Sequence, residues 1–143
     1  MAINLILATL LGALLGTERS IAGKHAGMRT YALVSLGSCL FVVVEALVSA
    51  DLVQVVGFNP LQIAGSIVIG IGFIGSGLSG FRGDHPSELT TASGIWLVAG
   101  IGMACGFGLY TLALTAALLG ILIFSLLLKF ENALRKKFGN GGD

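Results

Sequence analysis

The sequence predicts an all-α, polytopic transmembrane bundle of about five helices, and three observations carry that expectation. Apolar residues make up 55% of the chain and charged residues only 10%, against roughly 25% charged in ordinary soluble domains. Apolar runs of near-spanning length recur between short polar or glycine- and proline-containing breaks. Finally, the eight Lys and Arg residues all fall on one side of a five-span arrangement. A soluble fold of 143 residues would need a charged surface that this composition does not supply, and the length accommodates one domain.

The elements follow in order. A helix needs about 20 residues to cross the hydrocarbon core, and the runs nearest that length are 2–16, 31–50, 61–81, 91–106 and 109–128. The first and fourth are short, so the membrane is expected to thin there or their ends to be buried in protein. Gly57, Asn59 and Pro60 break the chain between the second and third runs, and Gly106 and Gly108 between the last two. Residues 1–129 form the transmembrane domain of this reading and 130–143 a short basic tail. Met1 to Thr17 reads as a span rather than a signal peptide, because it lacks a basic start and is followed by Glu18 and Arg19.

Arg19, Lys24 and Arg29 lie between the first and second spans, Arg82 between the third and fourth, and Lys129, Arg135, Lys136 and Lys137 after the fifth. The remaining two loops carry no Lys or Arg. The positive-inside rule then places the N-terminus outside and the C-terminus in the cytoplasm. The cluster Arg135–Lys137 is expected near anionic headgroups.

Small residues recur at four-residue spacing: Ala8, Gly12 and Gly16; Ser66 and Gly70; Gly72, Ser76 and Gly80; Gly102 and Gly106. Positions i and i+4 share a helix face, so these series, with Gly75 and Gly77, are expected to pack helices closely within the chain or between copies. A glycine-lined permeation path is the alternative, without the ring of acidic or carbonyl-rich positions of a selectivity filter. Gly16 to Thr30 and Gly77 to Thr91 frame two loops of equal length, a weak direct repeat of parallel type. Polar residues concentrate in those loops: Glu18, Arg19, Arg29 and Thr30 in one; Arg82, Asp84, His85, Ser87, Glu88, Thr90 and Thr91 in the other. A network locking the two loops is expected, with Thr30 and Ser87 as N-caps of the second and fourth helices.

The string Gly-Ala-Leu-Leu-Gly-Thr-Glu-Arg-Ser (12–20), followed by Ala-Gly-Met-Arg-Thr-Tyr (26–31), resembles the first signature of the MgtC/SapB family. Gly-Ile-Gly-Phe-Ile-Gly-Ser-Gly (70–77), then Leu-Thr-Thr-Ala-Ser-Gly-Ile-Trp (89–96), resembles its second. The match covers roughly 120 residues in order and spacing. The resemblance implies a bacterial inner-membrane protein of about five spans. Its best-known members support growth at low magnesium and survival within host cells, and restrain the ATP synthase. It carries over Gly16, Glu18, Arg19, Gly27, Arg29 and Thr30 from the first motif, and Gly70, Gly72, Phe73, Gly75, Gly77, Thr91, Ala92 and Trp96 from the second. Many relatives open the third helix with Asp-Pro-x-Arg-Ile-Ala-Ala-Gln, where this chain has Asn59-Pro-Leu-Gln-Ile-Ala-Gly-Ser66. The chain is expected to be a short form without the soluble C-terminal domain of the virulence-type members.

Glu45 is the acidic residue well inside an expected span, about 22 Å beyond the start of the second helix, with Ser38, Phe41 and Ser49 on its face. That polar stripe is expected to face into the bundle, and an intramembrane carboxyl is a candidate ion or proton site. A magnesium site would need several oxygen ligands, and no second acidic partner stands in the other spans. His25 and His85 read as solvated loop residues, Cys39 and Cys105 as small core residues, and Tyr31 and Trp96 as interfacial aromatics. No nucleotide loop, catalytic triad or metal cluster is visible, so the expectation is a non-enzymatic protein without cofactor or nucleic-acid partner. It would act in the bilayer through contacts with a second copy or another membrane protein, in adaptation to low magnesium or regulation of a membrane complex. The alternative is a magnesium or proton-coupled cation transporter or channel.

Overall fold

The computed structural model describes residues 1–50, 59, 61–79 and 89–138, although the side chains of 79, 131, 132, 135 and 138 are not described. Among the described residues every regular element is helical. The elements are α1 (Ala2–Ile21), α2 (Met28–Ser49), α3 (Gln62–Ser79), α4 (Leu89–Gly106), α5 (Tyr110–Leu122), a π-turn (Ile123–Leu127) and α6 (Leu128–Phe138). Ala2–Ile21, Met28–Ser49, Leu89–Gly106 and Tyr110–Phe130 are long and apolar enough to cross a bilayer, and Gln62–Leu78 is a shorter apolar helix. Large apolar side chains such as Ile3, Ile6, Leu10, Leu33, Ile69, Phe73, Leu118 and Leu122 lie exposed around the outside. Such a continuous apolar exterior is the surface of a protein solvated by lipid.

Two turns of the same construction hold the bundle. α1 ends where Lys24 N–H donates to the Arg19 carbonyl (3.0 Å) and Gly23 N–H to that of Ser20 (3.1 Å). α4 ends where Leu109 N–H donates to the Ala104 carbonyl (2.8 Å) and Gly108 N–H to that of Cys105 (3.0 Å). Both are Schellman closures, and Gly23 (φ 68°) and Gly108 (φ 75°) supply the left-handed residue each requires. They turn α1 back into α2 and α4 into α5.

α4 is the centre of the bundle, touching α1, α2, α3 and α5, while α1 packs along α2, α4 and α5. Its buried face runs through Thr91, Gly94, Ile95, Val98, Ile101, Gly102 and Cys105. Leu15, Tyr31, Cys39, Val42, Ala113 and Ala117 close around it. Hydroxyls on the helices mostly return to their own backbone: Thr9, Thr17, Ser66, Ser93 and Thr115 each donate to the carbonyl four residues before. That satisfies them without water.

Three boundary expectations are corrected. α1 does not stop at Gly16 but continues to Ile21, carrying Glu18 and Arg19 as helical residues; the ion pair they form removes the need to leave the helix for solvent. At 20 residues it reaches about 30 Å, a full hydrocarbon thickness. Thr30 is not the N-cap of α2, because that helix starts at Met28 with Gly27 as its cap. The orphan Met28 N–H is satisfied by Ser20 Oγ of α1 at 2.9 Å. Ser87 lies outside the described residues. The last helix does not end near Leu128: it passes through the π-turn and stays helical to Phe138.

Candidate functional site

At the end of the bundle where α1 stops and α2 and α4 begin, buried polar groups from both signature strings meet. Arg19 is only 3% exposed, and its Nε donates to Glu18 Oε2 at 2.6 Å. Its guanidinium also lies over the Phe124 ring, 4.0 Å from the centroid. A buried cation so placed exchanges hydration for a carboxylate and a π-face. Phe124 belongs to the π-turn, a distortion that often accompanies functional positions.

Tyr31 extends the cluster towards α4. It is fully buried, and its hydroxyl donates to the Thr91 carbonyl at 3.2 Å. Gly94 leaves the room for this arrangement: a methyl group there would strike the Tyr31 hydroxyl and sit 2.6 Å from Phe124 Cζ. The Thr91 hydroxyl and that of Ser35 are buried without a hydrogen-bond partner among the described residues. A run of contacts therefore links Glu18, Arg19, Phe124, Gly94, Tyr31 and Thr91 across four helices.

The expected site residues divide around this cluster. Glu18, Arg19 and Thr91 are in it. Arg29 and Thr90 are exposed and Thr30 is half-buried, with no ion pair or side-chain hydrogen bond among the described residues. Arg82, Asp84, His85 and Glu88 lie outside the described residues, and with them the expected lock between the two loops. Tyr31 is not an interfacial aromatic but a core one, because its hydroxyl finds a carbonyl partner inside. Trp96 remains 58% exposed on the outer surface.

The glycines divide as sharply. A methyl at Gly12 would sit 2.7 Å from Ser35 Cβ and from the Tyr31 carbonyl; at Gly16, 2.6 Å from Met28 Cα; at Gly106, 2.7 Å from Val42 Cβ. At Gly102 it would collide with the Ser35 backbone. Among the described residues a methyl at Gly70, Gly72 or Gly77 would meet nothing within 4 Å, and one at Gly75 would lie 3.7 Å from Ala92 Cβ. Beside α3 a cleft of about 580 Å³ opens between it and α2, lined by Leu33, Gly37, Ser38, Phe41, Ser66 and Gly70 among others.

Glu45 lines no part of that cleft. It is half-buried, and its expected stripe is split: Ser38 is buried, Phe41 is 56% exposed and Ser49 is half-buried. The buried residues of this half of α2 are Ser38, Cys39, Val42 and Val43. Among the described residues no three His, Cys, Asp or Glu side chains converge. At the opposite end of the bundle from Arg19, Tyr110 donates its hydroxyl to Asn4 Oδ1 (2.9 Å) and Asn4 Nδ2 donates to the Gly106 carbonyl (3.3 Å). Phe124, Gly94 and this pair were not among the expected residues; Gly94 stood inside a signature string, while nothing local marked Phe124.

The fold and this cluster define a helical membrane protein with a glycine-packed core closed at one end by a buried arginine. The MgtC family model matches residues 5–133, and the chain belongs to that family. It is 41% identical over 123 residues to the protein called "Putative magnesium transporter YhiD" of Escherichia coli K12, covering 85% of this chain and 57% of that one. It is 41% identical over 127 residues to Protein MgtC of Salmonella typhimurium LT2 (89% and 52%), and 40% over 120 residues to Protein MgtC of Brucella abortus (84% and 48%). The chain thus spans about half the length of the curated relatives it matches. No solved structure matches it.

Proposed function

We propose that this chain is a non-enzymatic inner-membrane protein, oriented N-out and C-in, that acts in magnesium-linked physiology through helix contacts with a second copy or another membrane complex. The observation that carries the reading is α3. Its glycines at 70, 72 and 77 meet nothing within 4 Å among the described residues, although small residues at this spacing are what close helix contact in lipid requires. The adjoining cleft offers apolar walls and small residues on both sides.

Co-purification from native membranes tests it. The wild type is expected to retain a second copy or a membrane protein, and Gly70→Leu or Gly72→Leu to release it while still folding. A monomer that brings down nothing in mild detergent overturns the reading.

A second reading, magnesium transport, is favoured by the description attached to the relative YhiD. Liposomes loaded with a magnesium-sensitive dye decide between them. Flux above empty liposomes that falls in Glu45→Gln would replace the first reading; flux equal to empty liposomes removes the second.

A further inference from the structure

Between α2 and α3 the bundle does not close. The cleft of about 580 Å³ there is walled on one side by Leu33, Gly37 and Phe41 of α2 and on the other by Ile63, Gly70 and Ile74 of α3. Among the described residues a methyl at Gly37 or Gly70 would meet nothing within 4 Å, so each wall presents a glycine to the cleft. From Ile63 to Ile74 the cleft runs about 16 Å along the helix. One leaflet of the hydrocarbon is about 15 Å deep.

Size and charge select the occupant. An α-helix with its side chains is about 10 Å across, so a matching length of one seated in the cleft would need about twice its volume. A single acyl chain is a narrow thread of methylenes, and in a bilayer it is what meets an apolar cleft from the side. Filling the cleft gives its walls the dispersion contacts that an empty groove lacks. Arg29 precedes Leu33 by four residues and Gly37 by eight, on the same side of α2. It is exposed, with no ion pair or side-chain hydrogen bond among the described residues. It stands in the first turn of α2, where the helix dipole adds positive potential. A lipid phosphate at that level sits one turn beyond the end of the cleft.

We infer that the cleft between α2 and α3 is a phospholipid site, which holds one acyl chain between Gly37 and Gly70 while Arg29 takes the phosphate of the same lipid. This goes beyond the partner reading above. Gly72 lies about 200° round α3 from Gly70, so a protein on that side and a lipid in the cleft do not compete.

Photolabelling of the full chain in nanodiscs tests the inference, with a phosphatidylglycerol that carries a diazirine midway along one acyl chain. Labelling of the cleft residues in 33–41 and 63–74 is expected to exceed several-fold that of outward positions such as Ile3, Leu118 and Leu122, which meet bulk lipid. Gly37→Leu fills the cleft and should bring its labelling down to the outward level. Arg29→Gln should lower it about fivefold, the contribution of one cationic contact to an anionic headgroup, and Arg29→Lys should restore most of it. The unfolding temperature reports whether each variant has kept its fold, and the comparison of cleft with outward positions needs no variant. Equal labelling of cleft and outward positions overturns the inference, and so does an excess that survives either Gly37→Leu or Arg29→Gln. A cleft shielded from the label and cross-linked to another chain assigns it to a protein, which overturns the lipid site and leaves the partner reading standing.

Discussion

Helices α1 and α3 carry the same small-residue pattern and use it in opposite ways. On α1, Ala8 is buried and Gly12 and Gly16 are pressed against α2, so closely that an added methyl at Gly12 or Gly16 would lie within 2.7 Å of its neighbours. On α3, Gly70, Gly72 and Gly77 meet none of the described residues, while Ile67 and Ile71 provide the burial. Small residues let helices approach in lipid, but which helix arrives is decided elsewhere: by the Schellman turn that folds α2 onto α1, and by the buried arginine that draws α1 to α5. The difference is between a closed, close-packed core and a helix whose glycines are not in contact with the described residues.

The largest expected effect breaks the closed side at its end. Arg19→Ala leaves the Glu18 carboxylate without its cation and uncovers Phe124, and should cost about 3 kcal/mol. Arg29→Ala, on an exposed side chain, should cost less than about 0.5 kcal/mol. Thermal unfolding in detergent reads both, and similar losses would show that Arg19 does not close the core.

Next comes a direct exchange between the two glycine sets. Gly12→Ala and Gly102→Ala force α1 or α4 away from α2 and should each destabilise by about 1–3 kcal/mol. Gly72→Ala and Gly77→Ala should be neutral or stabilise by up to about 1 kcal/mol, because alanine is the better helix former and none of the described residues stands in its way. Equal losses in the two sets would erase the distinction.

The smallest effect sharpens the closed side. Tyr31→Phe removes one hydrogen bond to the Thr91 carbonyl with the ring kept in place, for an expected loss of about 1 kcal/mol. No change in unfolding temperature would mean that the ring alone holds α2 to α4 there.

Much of this was legible beforehand, for physical reasons that can be named. Helix existence followed from apolar run length, since lipid leaves a spanning backbone few alternatives. The start of α2 was not in reach, because the hydroxyl that satisfies its first N–H belongs to Ser20, eight residues before Met28 and on another helix. Thr30 looked like a cap by local chemistry alone. Arg19 was singled out, whereas Phe124, more than a hundred residues distant, carried no mark until the fold set it beneath the guanidinium. The stripe expected beside Glu45 is split, because helical spacing does not say which residues meet a neighbouring helix: Ser38 is buried with Cys39, Val42 and Val43, while Phe41 stays outside.

By itself, then, the sequence determined the solvent this protein folds in, its helical class, its glycine-rich packing chemistry and its family signature, all of which depend on residue type and near spacing. The tertiary structure decided which glycines are contacts and which are open. It also decided that Arg19 is buried with a ring and a carboxylate, and that the final helix runs on to Phe138. Those outcomes depend on which helices become neighbours, and neighbours are chosen by turns and distant side chains rather than by a helix's own residues. The five-helix bundle expected from composition is therefore a tight core of α1, α2, α4 and α5 with α3 set at its side.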